Sequence, residues 1–355
     1  MKRRKTLHTW MQAAVICCGL LVAAGTTASA KKKCCMPEKK CCMQEKQKIA
    51  VIDAGSSGSR LHVYEVYRDS TVKMLFPITE QEWKDCRGRA LSTVANHPDS
   101  VKAYISTMTA KYPYAVKGDT IPLYVLATAG MRLQPQASTE GVYEKMTKAE
   151  DCLHGFKLKK AMTISGRYEG LYAWIADNYS NNNFATTTRG IIEVGGASMQ
   201  ITFASKSADI PEAQKLIRPQ WGVIYSKSYL GGGMNQIYLH TPKTEPYKFS
   251  LPLQDVSSYI GNTGFYGCDN FKWTLKAADK YGSLDNYIKA LGHDDPADKH
   301  HQYMMCWYMK WLMESFHIAD RISMPKFTPE WSEGAVYDII INREEPEAFD
   351  YDKVL

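Results

Sequence analysis

The sequence predicts an α/β protein made of two similar lobes with a cleft between them. Two stretches predict this architecture, because each has the pattern of a β-hairpin with an acidic residue at its tip and a loop of small residues. The first consists of an apolar strand at residues 49–52, then Asp53 and a Gly/Ser loop, and then a strand at residues 61–67. The second repeats this plan over residues 190–203, with Glu193 in the place of Asp53. One plan used twice indicates two related lobes whose loops face each other.

Both loops have the composition of an anion-binding turn. Glycine lets the backbone approach a ligand closely, and hydroxyl and amide groups donate hydrogen bonds to phosphate oxygens. A single loop of this kind is explained equally well as an ordinary turn. Neither loop is a P-loop, since no G-x-x-x-x-G-K-[ST] pattern occurs in the chain. The pair predicts a phosphate held from both sides by Gly55, Ser56, Ser57, Gly58, Ser59, Gly195, Gly196, Ala197 and Ser198.

The first thirty residues have the three parts of a secretory signal peptide. A basic start precedes an apolar segment at residues 13–24, and a small-residue cleavage pattern ends at Ala30. The apolar segment is too short for a stable membrane anchor. We therefore expect cleavage after Ala30, no transmembrane anchor in the mature protein, and a periplasmic location, with general secretion as the alternative. A bacterial lipoprotein is disfavoured, because neither Cys17 nor Cys34 follows the small residues that lipidation requires.

A basic, cysteine-rich linker is predicted at residues 31–48. It repeats a Lys-Lys-Cys-Cys-Met pattern, which suits either a Cu(I) or Zn(II) ion or a flexible spacer whose cysteines oxidise among themselves. Residues 1–48 carry eleven Lys or Arg and two Glu, which accounts for the net charge of +7. The rest of the chain is nearly neutral, so no nucleic-acid partner is expected.

The first lobe is predicted to span residues 49–165. After the hairpin, an apolar strand at residues 123–126 leads into Thr128 and Ala129. Their hydroxyl and amide groups offer a further contact to an anion. Arg132 follows, and an ion pair or a helix start explains this residue better than phosphate binding does.

The second lobe is predicted to span residues 166–324 and to begin with a helix at residues 167–179. Glu169 lies in the first turn of that helix. An acid at this position commonly does no more than interact with the helix dipole. Taken from the local pattern alone, Glu169 therefore has no assigned chemistry.

Four motifs resemble the first four conserved regions of the nucleoside triphosphate diphosphohydrolases, or apyrases, in the order in which that family has them. They are Asp53-Ala-Gly-Ser-Ser-Gly-Ser-Arg60, Ala127-Thr-Ala-Gly-Met-Arg132, Tyr168-Glu-Gly-Leu-Tyr-Ala-Trp-Ile-Ala-Asp-Asn-Tyr179 and Glu193-Val-Gly-Gly-Ala-Ser-Met-Gln200. A weaker fifth match is Trp331-Ser-Glu-Gly-Ala335. Four ordered motifs are far more specific than one Gly-rich loop.

The resemblance implies the actin-like ATPase fold, with two RNase H-like lobes, an interlobe cleft and residues 325–355 returning to the first lobe. It also implies metal-dependent hydrolysis of nucleoside tri- and diphosphates to the monophosphate and inorganic phosphate. Glu169 corresponds to the family's catalytic base, which Ser198 and Gln200 would help in orienting and deprotonating the attacking water. A monomer is expected.

The same resemblance implies a metal site and a nucleobase site. Asp53 and Glu193 would hold Mg²⁺ or Ca²⁺ largely through waters. The family usually has Asp where this chain has Glu193, so we expect an altered metal preference. Met234 lies nearest to a position where the family often has an arginine against the base, and Met234 and Tyr229 are the predicted nucleobase contacts.

Two other functions and two disulfides complete the predictions. An exopolyphosphatase of the same fold and a non-catalytic nucleotide-binding protein are the alternative functions. In an oxidising compartment, Cys268 is expected to pair with Cys306, because both lie in the second lobe, and Cys86 with Cys152. Free buried thiols are the alternative.

Overall fold

The computed structural model describes residues 46–97, 99–116, 118–292 and 297–353, with the backbone only at 297–300 and 353. The predicted signal peptide, its cleavage site and nearly all of the linker lie outside the described residues. Within the described part of the chain, no helix combines the length and the apolar character needed to cross a membrane.

The first lobe contains a mixed sheet of six strands in the order β3-β2-β1-β5-β6, with a short β4 beside β2. The strands are β1 (Lys46–Ala54), β2 (Ser59–Tyr67), β3 (Val72–Phe76), β4 (Arg87–Gly88), β5 (Ile121–Ala127) and β6 (Phe156–Thr163). The predicted hairpin is confirmed, since β1 and β2 are antiparallel neighbours. The parallel strands β1 and β5 end together, with Asp53 opposite Leu126 and Ala54 opposite Ala127. Their loops therefore meet at one edge of the sheet.

The helices of the first lobe cover this sheet. They are α1 (Glu80–Asp85), α2 (Ser100–Thr109), α3 (Ala129–Arg132) and α4 (Gln136–Thr147). The inner strand β1 is buried on both faces, so its run from Ile49 to Ile52 is continuously apolar, as is usual for a central strand covered on both sides.

The second lobe repeats the same strand order. Its sheet is β12-β11-β7-β8-β10-β9, which matches the first sheet in five strands; β9 is added here, and β4 of the first sheet has no counterpart. The strands are β7 (Gly190–Val194), β8 (Ser198–Ala204), β9 (Lys215–Arg218), β10 (Gly222–Leu230), β11 (Phe265–Asp269) and β12 (Ile322–Ser323). Again an antiparallel hairpin, β7 and β8, has a parallel strand, β11, on its other side. The predicted pair of related α/β lobes is confirmed, while the predicted boundaries at residues 165 and 324 stay predictions.

Two helices fill the space between the sheets. The helices of this half of the chain are α5 (Gly166–Ser180), α6 (Met234–His240), α7 (Ser257–Ile260), α8 (Asn270–Asp279), α9 (Leu284–Leu291), α10 (Ala297–Ser315) and α11 (Trp331–Val336). Helix α5 packs on β7, β8 and β10, and α11 contacts both α5 and the strands β1 to β3. A Cβ on Gly334 would lie 1.9 Å from the Tyr172 carbonyl oxygen, so the two helices touch backbone to backbone.

The predicted disulfides are wrong for this structure, because Cys86, Cys152, Cys268 and Cys306 are all free. Cys268 packs in the apolar cluster between the two sheets, whereas Cys306 packs in a separate cluster with Ala278. The Cys268 thiol donates instead to Asp177 Oδ2 at 3.1 Å. The alternative of free thiols describes the four correctly, although Cys152 is only half-buried.

Candidate active site

A cavity of about 450 Å³ opens where the two hairpin loops meet. The loops are in direct contact, since a Cβ on Gly196 would lie 2.7 Å from the Ser56 hydroxyl oxygen. The predicted residues that line the cavity are Asp53, Gly55, Ser56, Ser57, Thr128, Ala129, Glu169, Glu193, Gly195, Gly196, Ala197 and Ser198. The structure therefore brings most of the predicted site together from both lobes.

Five predicted site residues do not line this cavity. The Ser59 hydroxyl is fully buried and accepts a hydrogen bond from the Tyr104 hydroxyl at 2.6 Å. Gly58 packs against β4, because a Cβ there would lie 3.1 Å from the Gly88 carbonyl oxygen. Gln200 lies behind the lining, fully buried.

Tyr229 and Met234, the predicted nucleobase contacts, are the other two. Tyr229 is buried in the core of the second lobe, where its hydroxyl accepts a hydrogen bond from the Gln254 amide at 3.0 Å. Met234 begins α6, and its amide donates to the Gly195 carbonyl at 2.8 Å. Met234 thus supports the second loop from behind.

The second loop is held in shape by backbone contacts with the start of α6. The Asn235 amide donates to the Gly196 carbonyl at 2.9 Å, and the Gly231 amide donates to the Ala197 carbonyl at 2.9 Å. A Cβ on Gly233 would lie 2.3 Å from the Ala197 nitrogen, so only glycine permits this approach. The glycines at 231–233 therefore have a structural task next to the site.

Glu169 reaches the cavity from the first turn of α5. The helix can lie close to the sheet because Gly170 has no side chain: a Cβ there would lie 2.5 Å from the Thr202 hydroxyl oxygen. Arg132 forms an ion pair with Glu169, and the Arg132 Nε donates to the Ile164 carbonyl at 3.0 Å. The expectation that Arg132 serves in an ion pair is confirmed.

Gln200 connects two predicted catalytic residues. Its Nε2 donates to Glu169 Oε2 at 3.0 Å and to the Ser198 hydroxyl at 2.7 Å. The same nitrogen lies 3.1 Å from the Ser228 hydroxyl. The Gln200 amide thus holds Glu169 and Ser198 in position from behind the residues that line the cavity.

The acidic tips of the two hairpins each carry an oxygen that lacks a hydrogen-bond partner among the described residues. These buried atoms are Asp53 Oδ1 and Glu193 Oε2. Burial raises the pKa of Asp53 to about 7, although Arg60 lies 3.2 Å away and opposes the shift. Burial also raises the pKa of Glu193, and the neighbouring Glu169 raises it further. Buried carboxylate oxygens without donors are costly, and a cation would compensate them.

This pair of carboxylates fits a hard divalent cation that keeps water ligands. Among the residues that the structure describes, no three His, Cys, Asp or Glu side chains are close enough to hold one ion together. Mg²⁺ in particular is commonly bound through one or two carboxylates plus waters and substrate phosphates. The donors at Asp53 and Glu193 match that mode of binding.

The cavity contains a second layer of acids that the sequence did not reveal. Asp269 and Glu330 line it, and burial raises the pKa of Asp269 to about 6. Asp177 lines it as well, and burial raises the Asp177 pKa to about 7. One signal was available in the sequence, because Asp177 lies eight residues after Glu169 on the same helix. The position of Asp269, which ends β11 opposite Val194, becomes visible only in the structure.

Cations and aromatic side chains form other walls of the cavity. They are Arg60, Arg87, Lys272, Trp83, Trp273 and Trp331. Arg60 and Trp331 lie within recognised motifs, but nothing in the local sequence singles out Arg87, Lys272 or Trp273. The Lys272 ammonium donates to the Thr328 hydroxyl, which connects α8 to the segment before α11.

Comparison with solved structures identifies the fold. The structure of the Aquifex aeolicus Ppx/GppA phosphatase, type II variant, covers 83% of this chain and 99% of its own, with a TM-score of 0.50 and 14% identity. Together with the repeated sheet order, this likeness confirms the predicted two-lobed actin-like fold and shows the fold alone.

Sequence relatives are closer. "Probable apyrase 3" of Arabidopsis thaliana is 33% identical over 196 residues, which are 52% of this chain and 40% of the relative. "Nucleoside-triphosphatase ntp-1" of Caenorhabditis elegans is 29% identical over 234 residues, which are 62% of this chain and 40% of the relative. Each match thus spans about two fifths of the relative's length. The family model for GDA1/CD39 (nucleoside phosphatase) matches residues 39–243, more than half of the sequence, and the chain belongs to that family.

Proposed function

We propose that this protein hydrolyses nucleoside tri- and diphosphates to the monophosphate and inorganic phosphate, as an apyrase. The observation that carries the proposal is the meeting of two Gly/Ser loops around one cavity whose wall also holds Glu169. Backbone amides and the hydroxyls of Ser56, Ser57 and Ser198 suit the oxygens of a polyphosphate. Phosphoryl transfer to water demands little covalent chemistry, so positioning and charge neutralisation supply most of the rate.

Asp53 and Glu193 would hold a Mg²⁺ or Ca²⁺ ion. When bound, such an ion would neutralise charge on the phosphate oxygens. The rest of the work falls to this chain's own side chains. Glu169 accepts the proton of the attacking water. The Ser198 hydroxyl is connected to Glu169 by Gln200, which donates a hydrogen bond to each of them. The buried position of Gln200 supports a role in orienting Glu169 and Ser198 rather than in contacting the water itself.

The experiment is a phosphate-release panel on the full chain. ATP, ADP, AMP and polyphosphate are each supplied with Mg²⁺ or Ca²⁺, to wild type and to Glu169→Ala. We expect release from ATP and ADP but not from AMP. Loss of the general base should reduce kcat by about 10²- to 10⁴-fold.

A binding measurement on Glu169→Ala completes the experiment. Calorimetry with ATP and Mg²⁺ should show that the variant still binds the nucleotide. Release from polyphosphate but not from nucleotides would favour the exopolyphosphatase alternative. Tight nucleotide binding by a wild type that releases no phosphate would favour the non-catalytic one.

We also propose that the protein works outside the cytoplasm as a monomer. The basic and apolar pattern of residues 1–30 supports export. Cell fractionation, with mass spectrometry of the mature N-terminus, tests the location, and light scattering during gel filtration tests the oligomeric state. A mature protein that retains residues 1–30 in the cytoplasm would contradict the first proposal.

A further inference from the structure

We propose that Arg132 is a positioning residue for the reaction, which holds Glu169 by one carboxylate oxygen and leaves the other free to take the proton of the attacking water. This inference rests on the proposed hydrolase function. Arg132 is a buried cation that belongs to neither Gly/Ser loop and is neither a proposed metal ligand nor the general base.

The Arg132 side chain is itself rigidly held. It belongs to α3, directly after β5, and its side chain is 1% exposed. The Nε donates to the Ile164 carbonyl at 3.0 Å, and Nη2 donates to Glu169 Oε2. A guanidinium is planar, so two anchoring bonds fix its orientation. Arg132 therefore presents a donor of defined position to the carboxylate.

Both hydrogen bonds to the Glu169 carboxylate end on the same oxygen. Arg132 Nη2 and Gln200 Nε2 donate to Oε2, the latter at 3.0 Å. Among the described residues no donor to Oε1 is present. Two donors on one oxygen fix the carboxylate plane, and Glu169 lines the cavity, so Oε1 is the oxygen that faces the attacking water. A base held in one orientation loses less activity to misplacement than a freely rotating one.

The surrounding charges explain why the second donor is a cation. Asp53, Glu193 and Asp269 all interact with Glu169 across the cavity, each from a different strand. These like charges repel the Glu169 carboxylate. Among the described residues, Arg132 is the cation paired with Glu169, and its charge offsets that repulsion. Gln200 fixes direction but supplies no charge.

Arg132 can also be reached from a second side. It lines another cavity, of about 720 Å³, together with Arg167, Lys227 and Phe349. A hole left by shortening the side chain would open toward that cavity. Free guanidinium could then occupy the hole, which makes chemical rescue possible in this protein.

The test compares Arg132→Ala and Arg132→Lys with wild type, and uses Arg167→Ala as the matched control. Arg167 lies two residues before Glu169 on the same helix, and it does not contact Glu169. Its guanidinium forms an ion pair with Glu347 instead. We expect Arg132→Ala to lower kcat for ATP by about 100-fold with little change in KM. We expect the acidic limb of its kcat/KM profile to move up by about one pH unit or more.

The other arms separate positioning from simple structural support. Arg132→Lys keeps the charge but not the fork, so kcat should fall by about tenfold while the acidic limb stays near that of wild type. Millimolar guanidinium should restore Arg132→Ala by about tenfold or more, and Arg167→Ala should behave as wild type. A folded Arg132→Ala with wild-type kcat and pH profile would overturn the proposal. So would an activity loss that guanidinium and lysine both fail to recover while the profile stays unmoved.

A readout without turnover separates this inference from the proposed function. In protein carrying ¹³C-labelled glutamate, the titration of the Glu169 carboxyl carbon should move to higher pH in Arg132→Ala and not in Arg167→Ala. If wild type releases no phosphate, the proposed function fails, and the assignment of Arg132 to that reaction fails with it even if this shift appears. If wild type is active and the shift is absent, the assignment fails alone.

Discussion

The tips of the two hairpins occupy equivalent places in two equally ordered sheets, yet their electrostatics differ. Asp53 in the first lobe has Arg60 beside one oxygen, at 3.2 Å. Glu193 in the second lobe has acids as its neighbours, with Glu169, Asp269 and Asp177 each raising its pKa after burial. The first tip carries its own counter-charge, whereas the second is surrounded by further acids, whose charge a bound cation would compensate. Repeated topology therefore does not imply repeated chemistry.

Neutralising Glu193 and Asp53 in turn should have the largest effect on phosphate release and on metal affinity. We expect Glu193→Gln to lower phosphate release from ATP by about 10³-fold or more at fixed Mg²⁺, because the ion loses one of its two proposed carboxylate ligands. Asp53→Asn should weaken the metal too, but it also frees Arg60 to contact phosphate. Mg²⁺ titrations of activity and calorimetry measure both. Equal losses of metal affinity in the two variants would contradict the asymmetry.

A methyl group at the contact between the loops should have the next largest effect. In Gly196→Ala the new Cβ would lie 2.7 Å from the Ser56 hydroxyl oxygen, so either the Ser56 side chain must turn away or the loops must separate. We expect kcat/KM to fall by about tenfold or more. Gly195→Ala is the control, since its Cβ would meet the Ser198 carbonyl oxygen at an ordinary 3.5 Å. Similar activity of the two variants would show that loop contact is not needed.

Shortening Glu193 should change which ion is preferred rather than whether the protein works. Glu193→Asp withdraws the carboxylate by one bond and leaves room for one more water on the ion. We expect the ratio of Mg²⁺- to Ca²⁺-supported activity to shift by about three- to tenfold. Parallel titrations of wild type and Glu193→Asp with both metals measure this ratio. Identical ratios would count against the expected effect of the longer side chain.

The smallest effect concerns stability against pH without metal. Buried Asp53 and Asp177 have pKa values raised to about 7, and that of Asp269 is raised to about 6. Below pH 4 these acids are protonated in both states. As pH rises from 4 toward 7 the unfolded chain releases protons that the folded one keeps, so stability falls. We expect a decline on the order of 1 kcal/mol per pH unit, with screening reducing the total.

Melting curves in EDTA from pH 4 to 8 measure this decline, and Mg²⁺ should reverse part of it by binding the ionised carboxylates. Asp53→Asn should have a shallower decline than wild type. A metal-free protein whose melting temperature rises from pH 4 to pH 7 would contradict the sign.

The parts of the site that local sequence predicts are those carried by local geometry. Each of the two loops lies within one turn, so its pattern is visible in a short stretch, whereas Glu169 was identified only through the family motif around it. Strand alternation also predicts that Tyr229, four residues after the buried Tyr225 on β10, faces the core, which the nucleobase prediction overlooked.

The remaining parts depend on tertiary contacts between distant segments. Lys272 and Arg87 reach the same cavity from different lobes, and nothing in their local sequence indicates it. Two cysteines in the same lobe can likewise pack in separate clusters, as Cys268 and Cys306 do, which is why the predicted disulfides failed. Gln200 was recognised from its motif, but only the structure shows that it is buried behind the residues that line the cavity.

The contact between Gly334 and the Tyr172 carbonyl brings the backbones of α11 and α5 together. The two helix backbones already touch there, so α5 and α11 cannot approach each other more closely. Any side chain at residue 334 would have to push the two helices apart. A residue that has no side chain and does not line the cavity thus sets the spacing of the two helices that lie between the sheets.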